Sequence, residues 1–278
     1  MSLYTVLGLY AVSGLFGKPF KGLPTHGIYP LFTFNKFLLG AKMKFVLVSS
    51  GITPKMERGL RLQGFEPILL PPLPSLPGAI ASHPDTLIFE LSGTVVTSAD
   101  YCEAAGYIFS DLREYNKDII IKVTSDEPGE VFPRDCSFNA LKCGKYLFCR
   151  ERSISETVVA IALEKGLSIV GVKQGYPACS AISTRDAIIT ADEGLLRAAR
   201  RVGLGAYKID AGHISLPPYE YGFIGGASGA FEDKLYFFGD YRLHPSAKEL
   251  ERAAEELGLT LISLSDEPLN DLGGMIFL

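Results

Sequence analysis

Along this chain a short apolar run, a turn, a second apolar run, a stretch of helical period and a third apolar run follow one another, and then the order begins again. The phrase is clearest at residues 179–210. There residues 179–183 and 187–191 predict two strands about the turn Thr184-Arg185-Asp186, residues 192–202 a helix, and residues 206–210 a third strand. Leu195, Leu196, Ala199 and Val202 recur at helical spacing. Asp192 suits the N-cap because its carboxylate accepts an orphan backbone N–H, and Gly203 suits the stop. The following unit predicts strands at 222–228, 235–239 and 260–265 around a helix at 246–257 that ends at Gly258. Upstream, residues 137–141, 146–149 and 167–172 with a helix at 155–165 make a third copy. Residues 86–90, 94–97 and 119–123 with a helix at 99–115 make a fourth.

The fifth copy is split between the ends of the chain. Residues 44–49, a helix opening at Thr53-Pro54 and stopping at Gly64, and residues 67–70 supply all but a first strand, which residues 275–278 can provide. The pattern therefore predicts an α/β fold, a five-bladed β/α-propeller of ββαβ repeats whose ring is closed by the C-terminal strand and so has no open edge. The alternative, an open α/β sheet of ββα units, leaves that last strand without a purpose. Residues 43–278 are expected to form this single domain. Residues 1–42 read as an N-terminal extension: residues 3–16 are largely apolar, but no basic residue precedes them, and the run is too short and too interrupted by glycine to cross a membrane.

Composition narrows the function. A formal net charge of -4 disfavours nucleic acid as a partner, since phosphate binding needs a basic face. The five cysteines contain no C-x-x-C pair, so neither a zinc knuckle nor a thioredoxin-like motif is indicated; neither a metal nor another cofactor is expected, and the odd count of thiols suits the cytoplasm. Oligomeric state is not readable from the sequence.

A five-fold torus gathers the starts of its first strands about the axis, so residues there are candidates for one central site. They are His83-Pro84-Asp85, Phe132-Pro133-Arg134-Asp135-Cys136, Gln174-Gly175-Tyr176-Pro177-Ala178-Cys179, Gly212-His213-Ile214-Ser215 and Gly273-Gly274. Each has a plainer account. Arg134 and Asp135 could pair across a turn, His213 could cap a strand, and Cys179 could be a small buried apolar residue, the commonest fate of a free cysteine. Gly225-Gly226-x-x-Gly229 lacks the strand, loop and helix context of a phosphate cradle and reads as a bulge or a close backbone approach.

The phrase Phe132-x-Arg134-Asp135 resembles the aromatic-x-Arg-Asp that opens a blade in the arginine and agmatine deiminases of the pentein superfamily. Gly212-His213-x-Ser215 is similar to their Gly-His-x-Asp, and Gly273-Gly274-Met275-Ile276-Phe277 to the Gly-Gly-x-x-Cys strand that bears their nucleophile. The resemblance implies that Asp135 grips a guanidinium and that His213 is a proton carrier; Arg134, Asp85, His83 and Gln174 are the further ligand-contact candidates, by their place at the first-strand entries. The chemistry is apt, because a carboxylate matches two donors of the planar guanidinium fork. Three positions depart from the pattern: Gln174 stands for a glutamate, Ser215 for an aspartate and Phe277 for the cysteine. Without that thiolate the covalent amidino intermediate cannot form. The expectation is thus a pentein-fold protein that binds a small guanidino or cationic ligand and is not a conventional deiminase. Two alternatives stand beside it. One is a hydrolase or transferase acting on guanidino or amide carbon with Cys179 as nucleophile and His213 as proton shuttle. The other is a non-enzymatic interaction module, on the analogy of the ribosome anti-association initiation factor.

Overall fold

The computed structural model describes residues 44–278; the expected extension at residues 1–42 lies outside them. In chain order the elements are β1 (Lys44–Ser49), α1 (Pro54–Leu62), β2 (Phe65–Leu70), α2 (Pro84–Leu87), β3 (Ile88–Leu91), β4 (Thr94–Ser98), α3 (Ala99–Tyr115) and β5 (Ile120–Thr124). A 3-10 turn at Arg134–Cys136 leads to β6 (Leu141–Cys143), β7 (Tyr146–Cys149), α4 (Glu156–Glu164) and β8 (Ser168–Gly171). Then come α5 (Pro177–Ser180), β9 (Ala181–Ser183), β10 (Ala187–Thr190), α6 (Glu193–Arg201), β11 (Gly205–Lys208), β12 (Ser228–Phe231), β13 (Lys234–Phe237), α7 (Ala247–Leu257), β14 (Thr260–Ser263) and β15 (Ile276–Phe277).

The result is an α/β fold of five small three-stranded sheets, β15-β1-β2, β3-β4-β5, β6-β7-β8, β9-β10-β11 and β12-β13-β14. In every sheet the middle strand runs antiparallel to the first and parallel to the third, the parallel step being bridged by a helix. The C-terminal β15 pairs antiparallel with β1, Val46 opposite Phe277 and Leu47 opposite Ile276. The middle strands are the most buried, β4 and β10 along their whole lengths, whereas the third strands β5 and β11 are more open to solvent.

Local chemistry sets the helices. Thr53 Oγ1 accepts from Met56 N ahead of Pro54, whose fixed φ suits a first helical position, and Ser98, Ser155 and Asp192 cap α3, α4 and α6 in the same way. Gly64, Gly166, Gly203 and Gly258, each with positive φ, follow the ends of α1, α4, α6 and α7.

Burial is divided among five apolar clusters, each drawing on two sheets. Leu47 packs with Leu87, Ile88 and Val95; Phe89 and Val96 with Leu147 and Cys149; Leu141 and Phe148 with Ala181 and Ile188. Ile182 and Ile189 join Leu235 and Phe237, and Tyr236 and Phe238 join Val46 and Val48. Phe277 belongs to the last of these, its ring 4.8 Å from Phe65, 5.2 Å from Phe231 and 5.6 Å from Tyr236.

The first strands start later than the apolar pattern predicts. Residues 84–87 and 177–180 form single helical turns, not the beginnings of β3 and β9, because Pro84 and Pro177 occupy N-terminal helical positions and lack the N–H that a ladder would use. Residues 222–227, expected as strand, likewise stay outside β12, residues 224–227 as turns with Ala227 N donating to Phe223 O.

Candidate functional site

These helical turns place the candidate side chains. In α2, His83 is the N-cap and Asp85 lies in the first turn; the 3-10 turn carries Asp135; α5 carries Cys179. Backbone hydrogen bonds then tie segments distant in sequence. Asp85 N donates to Gly273 O, Gly226 N to Cys179 O, and both Leu272 N and Gly274 N to Gly226 O. Such close approach requires glycine at two points. A Cβ on Gly226 would run into the Asp271 carboxylate, and one on Gly273, which has φ +75, into the His83 side chain.

In this knot the Cys179 thiol donates to Asp85 Oδ2 at 2.6 Å. His83 Nδ1 lies 3.8 Å from Asp271 Oδ1, and Asp271 accepts from Phe223 N through Oδ2 at 2.8 Å and from Gly273 N through Oδ1 at 3.1 Å. One donor atom from each of His83, Asp85 and Cys179 falls within 4.8 Å of the other two, so these residues could hold a metal ion. These three side chains and that of Asp271 are buried. Burial governs their ionisation. It lowers His83 to about 4, so the imidazole is neutral at pH 7, and it raises Asp271 to about 6. It also raises Asp85 to about 7, to which the Asp271 charge adds, while the thiol hydrogen bond works the other way. The Cys179 thiol is pushed well above its ordinary value, first by burial and then by Asp85 and Asp271.

Asp135 makes a neighbouring group. Its Oδ2 accepts from the Tyr176 hydroxyl at 2.5 Å, and burial followed by the Asp135 carboxylate raises the tyrosine well above its usual range. The Phe132 ring lies 6.2 Å from Tyr176 and carries the Arg150 guanidinium 4.5 Å above it. Asn139 Oδ1 accepts from Ala178 N. Among the described residues six buried side-chain polar atoms lack a partner. Five of them, His83 Nδ1, Asp85 Oδ1, Asp135 Oδ1, Asn139 Nδ2 and Ser180 Oγ, are on or next to the presenting turns. Native proteins pair nearly all such atoms, so their gathering at these turns sets this part of the molecule apart from the rest of the described core.

The other expected residues lie elsewhere in the hydrogen-bond pattern. His213, at φ +61, sets its ring against His244 with centroids 6.1 Å apart, and His83 is the histidine that meets Asp85 and Cys179. Arg134 points to solvent and pairs with Glu127 at 3.2 Å. Gln174 donates to Asp192 Oδ2 and accepts from Tyr176 N. It lines a cavity of about 340 Å³ with Ser180, Asp192, Asp210 and Gly212. A larger cavity of about 1050 Å³ takes lining residues from all five first strands, among them Phe89, Leu141, Ile182, Ala230 and Phe277, and also touches Asp85. Asp271 and Asn139 were not legible as site residues, and Tyr176 was legible only as a member of the Gln174–Cys179 segment. The one local signal was for Asp271, an acidic residue two positions before the Gly273-Gly274 pair.

The solved structures share this fold at low sequence identity. DDAH from Pseudomonas aeruginosa, a cysteine-to-serine mutant complexed with citrulline, matches with TM-score 0.50 and 12% identity over 81% of this chain and 93% of that one. A dimethylarginine dimethylaminohydrolase in which histidine is replaced by glycine, an adduct with S-methyl-L-thiocitrulline, matches with TM-score 0.50 and 13% identity over the same shares. The adduct of dimethylarginine dimethylaminohydrolase with 4-chloro-2-hydroxymethylpyridine gives 0.50 and 12%, again over 81% and 93%. These neighbours make the fold pentein-like. No curated protein matches the chain in sequence. The family described as "Family of unknown function (DUF6873)" matches residues 47–276, and the chain belongs to it.

Proposed function

We propose that residues 43–278 form one domain, a closed five-bladed ring of the pentein type, that binds a small guanidino cation and does not run conventional deiminase chemistry. Three observations support the ring: β15 completes the sheet of β1, the five apolar clusters link the sheets in cyclic order, and all five first strands line one cavity. The observation that carries the ligand class is the buried acidic group: among the described residues no lysine or arginine forms an ion pair with Asp85, Asp135 or Asp271. Buried carboxylates are costly unless paired, so a cation is the fitting guest.

Asp135 is the anchor in this reading. Its Oδ1 is unpaired, its Oδ2 is covered by a tyrosine hydroxyl that a stronger donor could displace, and the adjacent Phe132 ring already receives a guanidinium, that of Arg150. Asp85, which lines the large cavity, is the second acidic contact. The reading without hydrolysis rests on Phe277, whose ring is packed among Phe65, Phe231 and Tyr236 where the resemblance expects a nucleophile. Cys179 is a poor replacement, because a buried thiol that donates to a carboxylate resists becoming a thiolate. The ligands of the neighbouring structures, citrulline and S-methyl-L-thiocitrulline, are of a related shape.

Calorimetric titration with arginine, agmatine and methylguanidine tests this. At least one should bind, and Asp135→Asn should weaken it roughly 10- to 100-fold, as loss of a charge-assisted hydrogen bond does. Absence of binding by all three, or an affinity untouched by Asp135→Asn, overturns the reading.

A further inference from the structure

We propose that His83, Asp85 and Cys179 form a binding site for one divalent transition-metal ion, with zinc(II) the occupant their chemistry favours. The site excludes the Asp135 anchor and takes up Asp85, the second acidic contact of the guanidino reading, and its donors stand whether or not that reading holds.

The geometry supplies three donors of different kinds, an imidazole nitrogen, a carboxylate oxygen and a sulfur, all within 4.8 Å of one another. A tetrahedral ion with bonds of about 2.0–2.3 Å sets its donors roughly 3.5 Å apart, so displacements of about an ångström gather this set. In two of the three residues a buried atom lacks a hydrogen-bond partner among the described residues: His83 Nδ1 and Asp85 Oδ1. Their orientation is fixed from outside. Gly273 packs on the His83 side chain and its carbonyl holds Asp85 N, while Cys179 O is held by Gly226 N. Asp271 Oδ1, 3.8 Å from His83 Nδ1, adds a further oxygen, itself steadied by Gly273 N.

A set of nitrogen, sulfur and oxygen donors in a confined site suits zinc(II) rather than the hard oxygen-seeking cations magnesium and calcium. The absence of a C-x-x-C pair pointed away from metal, but that motif reports only ligands close in sequence. Here residues 83–85 and residue 179 are brought together by folding. On binding, the Cys179 S–H bond breaks, sulfur keeps the electron pair and donates it to the metal, and the proton passes to solvent. One proton is therefore released from the thiol per ion bound.

The test uses the full chain, chelator-treated, dialysed and kept reduced. Titration with Co²⁺ should produce a thiolate-to-cobalt charge-transfer absorption in the near ultraviolet that saturates at one equivalent and is bleached by Zn²⁺. Cys179→Ala and His83→Gln should abolish it, and Cys102→Ser, a half-buried thiol on α3, should retain it. Asp85→Asn keeps the thiol and should weaken Co²⁺ at least tenfold, which decides the matter should Cys179→Ala fail to fold. The proposal is overturned by a wild-type chain without the saturating band, by a band that persists in Cys179→Ala, or by an affinity unchanged in Asp85→Asn. Asp135→Asn should leave the cobalt spectrum as it is, so the two sites can fail separately.

Discussion

Asp85 and Asp135 are two buried carboxylates presented by the same device, a single helical turn ahead of a first strand, yet their surroundings differ in kind. Asp85 meets a thiol and sits within reach of an imidazole; Asp135 meets a tyrosine hydroxyl beside a phenylalanine face. Both leave one oxygen unpaired. The difference teaches that the repeated backbone supplies the position, and the segment ahead of β9 supplies much of the chemistry, the Cys179 thiol at Asp85 and the Tyr176 hydroxyl at Asp135.

Three substitutions probe that contrast. The largest effect is expected of Gly226→Ala. Its new Cβ would displace the Asp271 carboxylate and release the N–H groups of Phe223 and Gly273, a loss of about 3 kcal/mol that lowers the melting temperature by roughly 10 °C. Urea unfolding measures it, and the binding of a guanidino ligand at Asp135 should survive in the folded fraction. Loss of that binding as well would join the two groups into one site. Tyr176→Phe acts on the other side. It strips the one hydrogen bond seen on the Asp135 side chain and should cost about 1–3 kcal/mol in the free protein, while cobalt binding stays within twofold of wild type. A cobalt affinity that moves with it would show that Tyr176 serves both. The smallest effect belongs to Arg134→Ala. Its partner Glu127 is exposed, so stability should change by no more than about 0.5 kcal/mol and guanidino affinity by less than twofold. A larger fall in affinity would return Arg134 to the ligand site that the deiminase-like phrase implies.

How far the sequence could be read follows the same division. Helices announce themselves locally: Thr53, Ser98, Ser155 and Asp192 cap them and glycines stop four of them, so α1, α4, α6 and α7 lie within a residue or two of expectation. The first strands start later than the apolar pattern predicts. An apolar residue in a helical turn cannot be told from one in a strand over four positions, and Pro84 and Pro177 were the available correction. Residues 222–227 were read as strand, but Gly225 and Gly226 are there to let backbone pass against Cys179 and Asp271, a demand made by distant segments. At the site, position was legible and partnership was not. Asp85 and Cys179 could be named from their place before a first strand, whereas their contact, and the approach of Asp271 to His83, exist only after segments far apart have met.

The pairing of β15 with β1 has a consequence for the order of events on the ribosome. Nearly the whole described chain is synthesised between Val46 and its partner Phe277, so the β1–β2 pair must wait, one edge bare, while the intervening sheets emerge. During that interval Val46 and Val48 lack the cover that Met275 and Phe277 later bring to their cluster. A nascent chain stalled before residue 276 is therefore a chain with an exposed apolar strand, and its first chaperone contacts should map to residues 44–49.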